Sequence, residues 1–399
     1  MRILSYQRLL SIAGMLLGLT LLLAACGGGT TGNSATTTPT AHPQDTATTG
    51  VGGLTPSPGI GLGPQACPDA VKNPTYWDSL IPTQPNVSKV ESVTCGYLKG
   101  VPELQALVTV RYDGTGSILD VYVYDNITSA TPSQIFKLQG LSKGSAKISG
   151  YNTVLTSEVD QNSSVNSNQP DANLTADLSR EFKWSDGAGT LVQIAFPGIF
   201  PDLTRYQAEA DQAQVNQGHQ PWKLSATMTA QAFGANLLHW DPNAPATLVS
   251  GGGAKDTQAV VSLKDTSPGG SAITLTMARL EGNANGGIWI VTSVETAGLS
   301  ITQPQNADII HSSTTVTGTG SAFEGVIGKV TILDHLYTNI GQATVHGKTG
   351  NGSTTFSTTV TSKPTFKAGI EEGLVLLTSE NNAAGGVAGA VIVKVLIQQ

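Results

Sequence analysis

Charged and aromatic residues are scarce in this sequence, and their scarcity limits what the protein can bind. Charged residues make up 12% and aromatic residues 6% of the 399 residues, and the net charge is −7. A chain without an excess of positive charge has no electrostatic footprint for nucleic acid, so we expect no nucleic-acid partner. Gly, Thr, Ser and Asn are abundant instead, which favours a neutral, hydroxyl-rich surface suited to β-structure.

Motifs of common enzyme classes are also missing. The sequence has no Gly-x-Ser-x-Gly elbow, no His-Glu-x-x-His zinc helix and no phosphate-binding loop. The six histidines are isolated from one another, and we expect those at 311, 335 and 346 to lie at surface or turn positions. We therefore predict no catalytic residue, no metal site and no cofactor, and a protein that is not an enzyme.

The N-terminus has the layout of an export signal. Two arginines in the first eight residues precede an apolar run, residues 9–23, which leads into Ala24-Ala25-Cys26. The run is shorter than the roughly 20 residues of a membrane span, and small residues stand at the expected cut. The end of this segment resembles the lipobox of bacterial lipoproteins, which implies removal of residues 1–25 and acylation of the Cys26 thiol. The alternative is a plain secretory signal that happens to end in Cys.

Residues 26–64 are expected to be the lipidated Cys followed by a tether. Gly, Thr, Pro, Ser and Ala dominate this stretch, and Asp45 is its only charged residue. Such a composition cannot bury a core, and a flexible chain of this length spans about 35 Å. We expect the acylated Cys26 to lie in the membrane lipid, at the outer face of the bacterial cell membrane or in the cell envelope.

Cys67 and Cys95 are the two cysteines that remain after Cys26. An exported protein most simply pairs them in a disulfide. Closing a loop of this size stabilises a fold by about 3.5 kcal/mol on the chain-entropy estimate. Two free thiols or a metal pair are the alternatives, although no His or third Cys stands close by in the sequence to complete a zinc site.

Beyond the tether the sequence predicts a multidomain, mainly β protein. The first region, residues 65–201, is expected to be a β-rich α+β domain with two hairpins and an exposed polar loop at 160–171. The predicted hairpin strands are 107–112 with 118–124, and 181–184 with 191–196.

The middle region, residues 202–299, is expected to be a small α+β domain. One helix is predicted from an N-cap at Asp202 to Gly218, and a second begins at an N-cap at Ser225. Three strands follow, at 259–263, 273–278 and 288–294. This order is similar to cystatin-like or nuclear-transport-factor-like modules.

The last region, residues 300–399, is expected to be a β-sandwich, because short predicted strands alternate with clusters of Gly, Asn or Pro. Several of its motifs resemble the immunoglobulin-like domain of bacterial spore germination proteins: Pro304, Val316–Glu324, Val330–Asp334, Phe356, Gly373–Leu376 and Ser379. The sequence departs from that family at Gly320 and at 334–336. The resemblance implies an immunoglobulin-like sandwich and a setting in sporulation, germination or envelope upkeep. We also expect Phe323 to be buried between the two sheets.

Four features suggest chemistry, and each also has a plainer structural interpretation. Paired carboxylates for glycoside hydrolysis could come from three acidic residues in one stretch, Asp177, Glu181 and Asp186. Residues 160–164 alternate oxygen ligands as a calcium loop does, but lack its Gly and terminal Glu. Tyr76-Trp77 could stack on a sugar or pack around the disulfide, and the His219–Trp222 segment could line a cleft or pack.

Two functions remain open at this point. The first is a non-catalytic envelope protein that binds a cell-wall polymer or another envelope protein. The second is an envelope hydrolase that acts on polysaccharide or peptidoglycan through an unrecognised site in residues 65–299. Convergent carboxylates with perturbed pKa values in one pocket would favour the second.

Overall fold

Antiparallel β-sheets make up most of the protein. The computed structural model describes residues 61–282, 286–348, 352–381, 383 and 385–399. The first region holds two sheets and a short helix, α1 (Pro74–Trp77). One sheet has the order β1-β2-β3-β4-β5 and the other β6-β7-β8-β9. Their strands are β1 (Pro64–Gln65), β2 (Ser88–Gly96), β3 (Gln105–Tyr112), β4 (Leu119–Asp125), β5 (Ser133–Leu141), β6 (Ser145–Ile148), β7 (Val154–Glu158), β8 (Leu178–Ser185) and β9 (Thr190–Ile194).

Alternation along β4 explains how these two sheets are placed. Leu119, Val121 and Val123 point to one side and join the core that also contains Val154 and Phe182 of the second sheet. The residues between them point the other way, where Tyr122 and Tyr124 pack with Trp77 of α1. Both predicted hairpins are confirmed, since β3 pairs with β4 and β8 pairs with β9 in antiparallel register.

The middle region contains both long helices, α2 (Arg205–Asn216) and α3 (Ala226–Leu237), with a 3₁₀ turn between them at Pro221–Leu224. Ser225 caps α3 as predicted, because its hydroxyl accepts the N–H of Met228. The start of α2 differs from the prediction. Thr204, rather than Asp202, is its N-cap, and it forms a capping box with Gln207. The strands that follow are β10 (Ala246–Gly251), β11 (Gln258–Lys264), β12 (Ala272–Ala278) and β13 (Ile290–Glu295).

The last region adds eight strands. A three-stranded sheet, β14-β16-β19, packs on one half of a nine-stranded sheet of order β10-β11-β12-β13-β21-β20-β17-β18, with β15 parallel to β21. Val316 and Phe356 of the smaller sheet meet Val330 and Val375 of the larger one. The new strands are β14 (Ser300–Gln303), β15 (Ile309–Ile310), β16 (Ser313–Ser321), β17 (Val326–Leu333), β18 (Asn339–His346), β19 (Ser353–Thr361), β20 (Ile370–Glu380) and β21 (Val387–Gln398).

The large sheet runs through the boundary expected at 299/300. Val294 of β13 stands opposite Ile392 of β21, and one hydrophobic core contains Phe233 of α3 together with Leu374 and Ile392. The middle and last regions therefore share a sheet and a core. Strand patterns could not reveal this, because alternation shows which face of a strand is buried and not which strand lies beside it.

Phe323 was predicted to be buried between the sheets, and this prediction is wrong. Its side chain is 57% exposed in the turn between β16 and β17. The next two residues, Glu324 and Gly325, have positive φ values of 51° and 83°, so the turn is tight. Phe356, from the middle of β19, occupies the interior instead and is 6% exposed.

Candidate functional site

Charged side chains meet in the interior where the first, middle and last regions contact one another. We call this set the ionic junction. Each member exposes 5% of its surface or less, so an unpaired charge among them would be expensive. Its members are Glu158, Arg180, Glu181, Asp202, Arg205, Lys223, Glu281, Asp334, His335, Glu371, Glu372 and Lys394.

Arg205 joins the first region to the middle region. From the first turn of α2 its Nε donates to Oε1 of Glu181 at 2.8 Å, and a terminal N–H donates to Oε1 of Glu281 at 2.6 Å. The Thr153 hydroxyl also donates to Glu181, and the Tyr151 ring lies 4.0 Å from the guanidinium. One guanidinium serves two carboxylates, and burial raises the pKa of Glu281 to about 8 in spite of the charge of Arg205.

Lys394 joins the last region to the segment before α2. Its Nζ, on β21, lies 2.9 Å from Oε2 of Glu372 on β20 and donates to the carbonyls of Gly198 and Leu203. The same carboxylate oxygen accepts the backbone N–H of Phe196 at 2.9 Å. Burial raises the pKa of Glu372 to about 7 and lowers the pKa of Lys394.

His335 joins the last region to the first. Its Nδ1 is hydrogen-bonded to the Glu371 carboxylate, and its Nε2 lies 3.5 Å from Oδ2 of Asp177. Burial by itself lowers the pKa of His335, but the carboxylates of Asp177 and Glu371 outweigh it and raise that pKa to about 10. His335 is therefore an imidazolium at neutral pH. The sequence predicted a surface or turn position, and the residue does stand in a turn, but it is only 2% exposed.

Arg180 provides a further link between the first and last regions. It pairs with Glu158 across the strands β8 and β7. Its guanidinium carbon also lies 5.3 Å from the centre of the Phe366 ring. A cation on an aromatic face adds roughly 0.5–2 kcal/mol, more where the site is dry.

A cleft of about 340 Å³ opens onto the ionic junction. Three carboxylates belong to its lining, but two of them already have partners. Asp177 accepts the N–H of Asp160 at 2.9 Å and faces His335, and Asp211 pairs with Lys223. All three regions contribute to the lining, which comprises Ala176, Asp177, Ser179, Pro201, Asp202, Tyr206, Gln207, Ala210, Asp211 and Leu336.

Asp202 is the third carboxylate of the cleft, and within the described ranges no group donates a hydrogen bond to it. The residue is 5% exposed, and its Oδ2 is fully buried. Burial raises the pKa of Asp202 to about 6, although the charge of Lys223 acts in the opposite direction. Because Thr204 caps α2, the Asp202 side chain is not needed as a cap.

The disulfide between Cys67 and Cys95 is formed, with an S–S distance of 2.07 Å. It attaches the start of the first region to β2, beside the short strand β1. Trp77 packs in the same core as Cys95 and is fully buried, and its indole N–H donates to the carbonyl of Val71 at 2.7 Å. Tyr76-Trp77 thus packs near the disulfide, which agrees with packing around the disulfide rather than stacking on a sugar.

The carboxylates singled out for hydrolysis do not converge. Asp177 pairs with His335 and Glu181 with Arg205, whereas Asp186 lies exposed in the β8–β9 turn and accepts the indole N–H of Trp184. The polar stretch 160–171 is mostly exposed, as predicted. Asp160, Ser163 and Asn166 are its buried residues, and the Asn166 amide donates to the backbone carbonyls of Asp160 and Thr175.

The remaining candidates lie apart from the ionic junction. Cys26 falls outside the described residues. His219 is exposed, and Trp222 packs against the core under α3. His311 and His346 are exposed, as predicted.

Most members of the ionic junction were missed by sequence reasoning. Lys394 carried a signal, because it stands inside an otherwise apolar stretch of β21. The adjacent carboxylates Glu371 and Glu372 precede the apolar part of β20 in the same way. A charge inside a hydrophobic strand indicates a buried partner, but the sequence cannot say which residue that partner is.

No family model matches the chain, and no curated protein matches it. Among the described residues, no helix has both the length and the apolar character needed to cross a membrane. The same part of the chain contains no group of three or more His, Cys, Asp or Glu residues arranged to hold a metal ion.

Proposed function

We propose that this chain is an extracytoplasmic lipoprotein of the bacterial envelope, anchored through acylated Cys26, with a non-catalytic binding or structural role. The observation that carries the proposal is the disulfide, which uses two of the three cysteines. Disulfides are typical of proteins outside the cytoplasm. The pairing also leaves Cys26, at the end of the signal-like segment, as the one thiol available for a lipid.

The ionic junction supports a role as a rigid binding or structural body. Three ties connect regions distant in sequence: Arg205 with Glu181, Lys394 with Gly198, and His335 with Asp177. A buried charge that loses its partner inside the protein is strongly destabilising, so hinge motion that separates these groups is disfavoured. We propose a cell-wall polymer or another envelope protein as the partner, and we expect no nucleic acid, since the net charge is −7.

The alternative, an envelope hydrolase, is favoured by one specific observation. Asp202 and Asp177 line the same cleft, and their pKa values are shifted apart, as in acid–base pairs of known enzymes. Burial raises the pKa of Asp202 to about 6. Burial also acts to raise the pKa of Asp177, but interactions with His335, Ser163 and the Asp160 N–H outweigh it and lower that pKa. Asp177 accepts the backbone N–H of Asp160 with Oδ1 and faces His335 with Oδ2, so it does not point freely at a substrate, and the binding role is the better proposal.

We also propose that the last region is an immunoglobulin-like sandwich of the spore germination type, working in sporulation, germination or envelope upkeep. The support is its two packed sheets, with Val316 and Phe356 facing Val330 and Val375. It remains tied to the middle region through β13 and β21.

Metabolic labelling tests the anchor. Cells that express the full chain or Cys26→Ser receive an alkyne analogue of palmitate, and the purified protein is examined for label and for detergent partitioning. We expect label on the parent and on a Cys67→Ser/Cys95→Ser control, and none on Cys26→Ser. Equal labelling of Cys26→Ser would refute the anchor. The alternative function, an envelope hydrolase, is tested by digestion assays on peptidoglycan with the parent and with Asp202→Asn. It requires that the parent digests peptidoglycan and that Asp202→Asn does not.

A further inference from the structure

Asp202 stands apart within the ionic junction because its carboxylate has no donor among the described residues. Every other carboxylate of that set accepts at least one hydrogen bond. Asp334, for example, accepts the N–H groups of Leu336 and Thr338, each at 2.8 Å. A buried carboxylate left without a donor costs several kcal/mol unless it is neutralised or finds a cation. Asp202 belongs to the lining of the cleft, which is the direction from which a missing partner can arrive.

The charge balance at this end of the cleft is negative. Lys223 is 4% exposed and pairs with the carboxylate of Asp211, while its charge also acts on Asp202. One ammonium group therefore serves two carboxylates. A second cation in the cleft would remove the deficit, whereas a hydroxyl group would supply a hydrogen bond but no charge.

We propose that the cleft binds a primary ammonium group carried on a flexible alkyl chain, as in a lysine side chain, with Asp202 as its carboxylate partner. Pro201, Tyr206 and Leu336 belong to the lining and provide apolar surface for the methylene groups. Asp211, 19% exposed on its side chain, belongs to the same lining and adds attraction at longer range. Binding of an ammonium group in this cleft goes beyond the proposed function and does not depend on Cys26. Either the ammonium site or the lipid anchor can therefore be refuted without the other.

Calorimetric titration of the full chain in a neutral detergent tests the proposal. The probe is Nα-acetyl-lysine amide at pH 7.5, and its uncharged counterpart is Nα-acetyl-norleucine amide. We expect the lysine probe to bind at least tenfold more tightly than the norleucine probe. Asp202→Asn should weaken lysine binding at least tenfold, whereas Asp113→Asn, which changes an exposed carboxylate in the β3–β4 turn, should leave it unchanged.

A second variant separates a ligand site from a purely structural carboxylate. Lys223→Met removes the internal cation, so Asp202 and Asp211 both lose their compensation, and we expect the lysine probe to bind at least threefold more tightly. A structural role for Asp202 predicts no such gain. This variant also keeps the test decisive if Asp202→Asn fails to fold, which circular dichroism would reveal.

The pH dependence provides a third readout. The probe stays protonated from pH 5 to 7.5, whereas Asp202 takes up a proton in this range, so binding should weaken at least fivefold at pH 5. The charged and titratable groups that face Asp202 are Lys223, Glu281, Tyr337, Asp177 and Asp211. Equal binding of the two probes, unchanged binding by Asp202→Asn, or binding of methyl glucoside in place of the lysine probe would overturn the proposal.

Discussion

Replacing Lys394 by Met should destabilise the protein strongly, because it removes the cation from a fully buried pair. Met preserves most of the side-chain volume but leaves the Glu372 carboxylate, which is 0% exposed, without its ammonium partner. It also removes the donor to the carbonyls of Gly198 and Leu203. No discount for solvent screening applies, since Lys394 itself is 3% exposed.

The magnitude follows from the burial of both groups. Breaking a buried ion pair by removing one partner costs about 3–5 kcal/mol, because the remaining charge is uncompensated. Glu372 can escape part of this cost by taking up a proton, and its pKa in the intact pair is already raised to about 7 by burial. The loss should therefore be larger at pH 8 than at pH 5. Lys394→Met/Glu372→Gln, which removes both charges, should recover most of the lost stability.

Urea unfolding of the full chain, followed by circular dichroism at pH 5 and pH 8, measures the effect. Lys367→Met is the matched control, because Lys367 is exposed, and it should change the free energy of unfolding by less than about 0.5 kcal/mol. A loss below about 1 kcal/mol in Lys394→Met at pH 8, or a double variant less stable than the single one, would refute the reasoning.

Three further predictions concern stability. Reduction of the Cys67–Cys95 disulfide should lower the free energy of unfolding by about 2–5 kcal/mol, measured by urea unfolding with and without reductant; an unchanged midpoint would contradict this. The parent should lose stability as the pH rises from about 5 to 9. In the folded state burial raises the pKa of Asp202 to about 6, that of Glu372 to about 7 and that of Glu281 to about 8. The carboxylate partners of His335 raise its pKa to about 10. Groups with raised folded pKa values bind protons more tightly when folded, so their contribution is present at low pH and is lost as pH rises; a urea midpoint higher at pH 9 than at pH 5 would show the opposite sign. Phe323→Ala should change the free energy of unfolding by less than about 0.5 kcal/mol, because the side chain is 57% exposed. Phe356→Ala should cost about 3–5 kcal/mol, because that side chain is 6% exposed. Equal melting-temperature shifts for the two variants would contradict the assignment of the core.

Local features of this protein were determined by the sequence alone. The alternation around Asp113–Gly116 predicted the β3–β4 hairpin, and Ser225 predicted the start of α3, because both depend on neighbours only a few residues away. The pairing of Cys67 with Cys95 followed from the number of cysteines. The mainly β character followed from short alternating segments throughout the chain.

Only the tertiary structure decided how distant groups meet. It placed β13 beside β21 and so joined the middle and last regions in one sheet, and it turned Phe323 to the surface. It also paired His335 with Asp177, and Arg205 with Glu281. Periodicity records the direction in which a side chain points, whereas ion pairing depends on the place where two remote segments come together in space. That place is set by the packing of whole sheets, and so the ionic junction and the free carboxylate of Asp202 emerge only once the chain is folded.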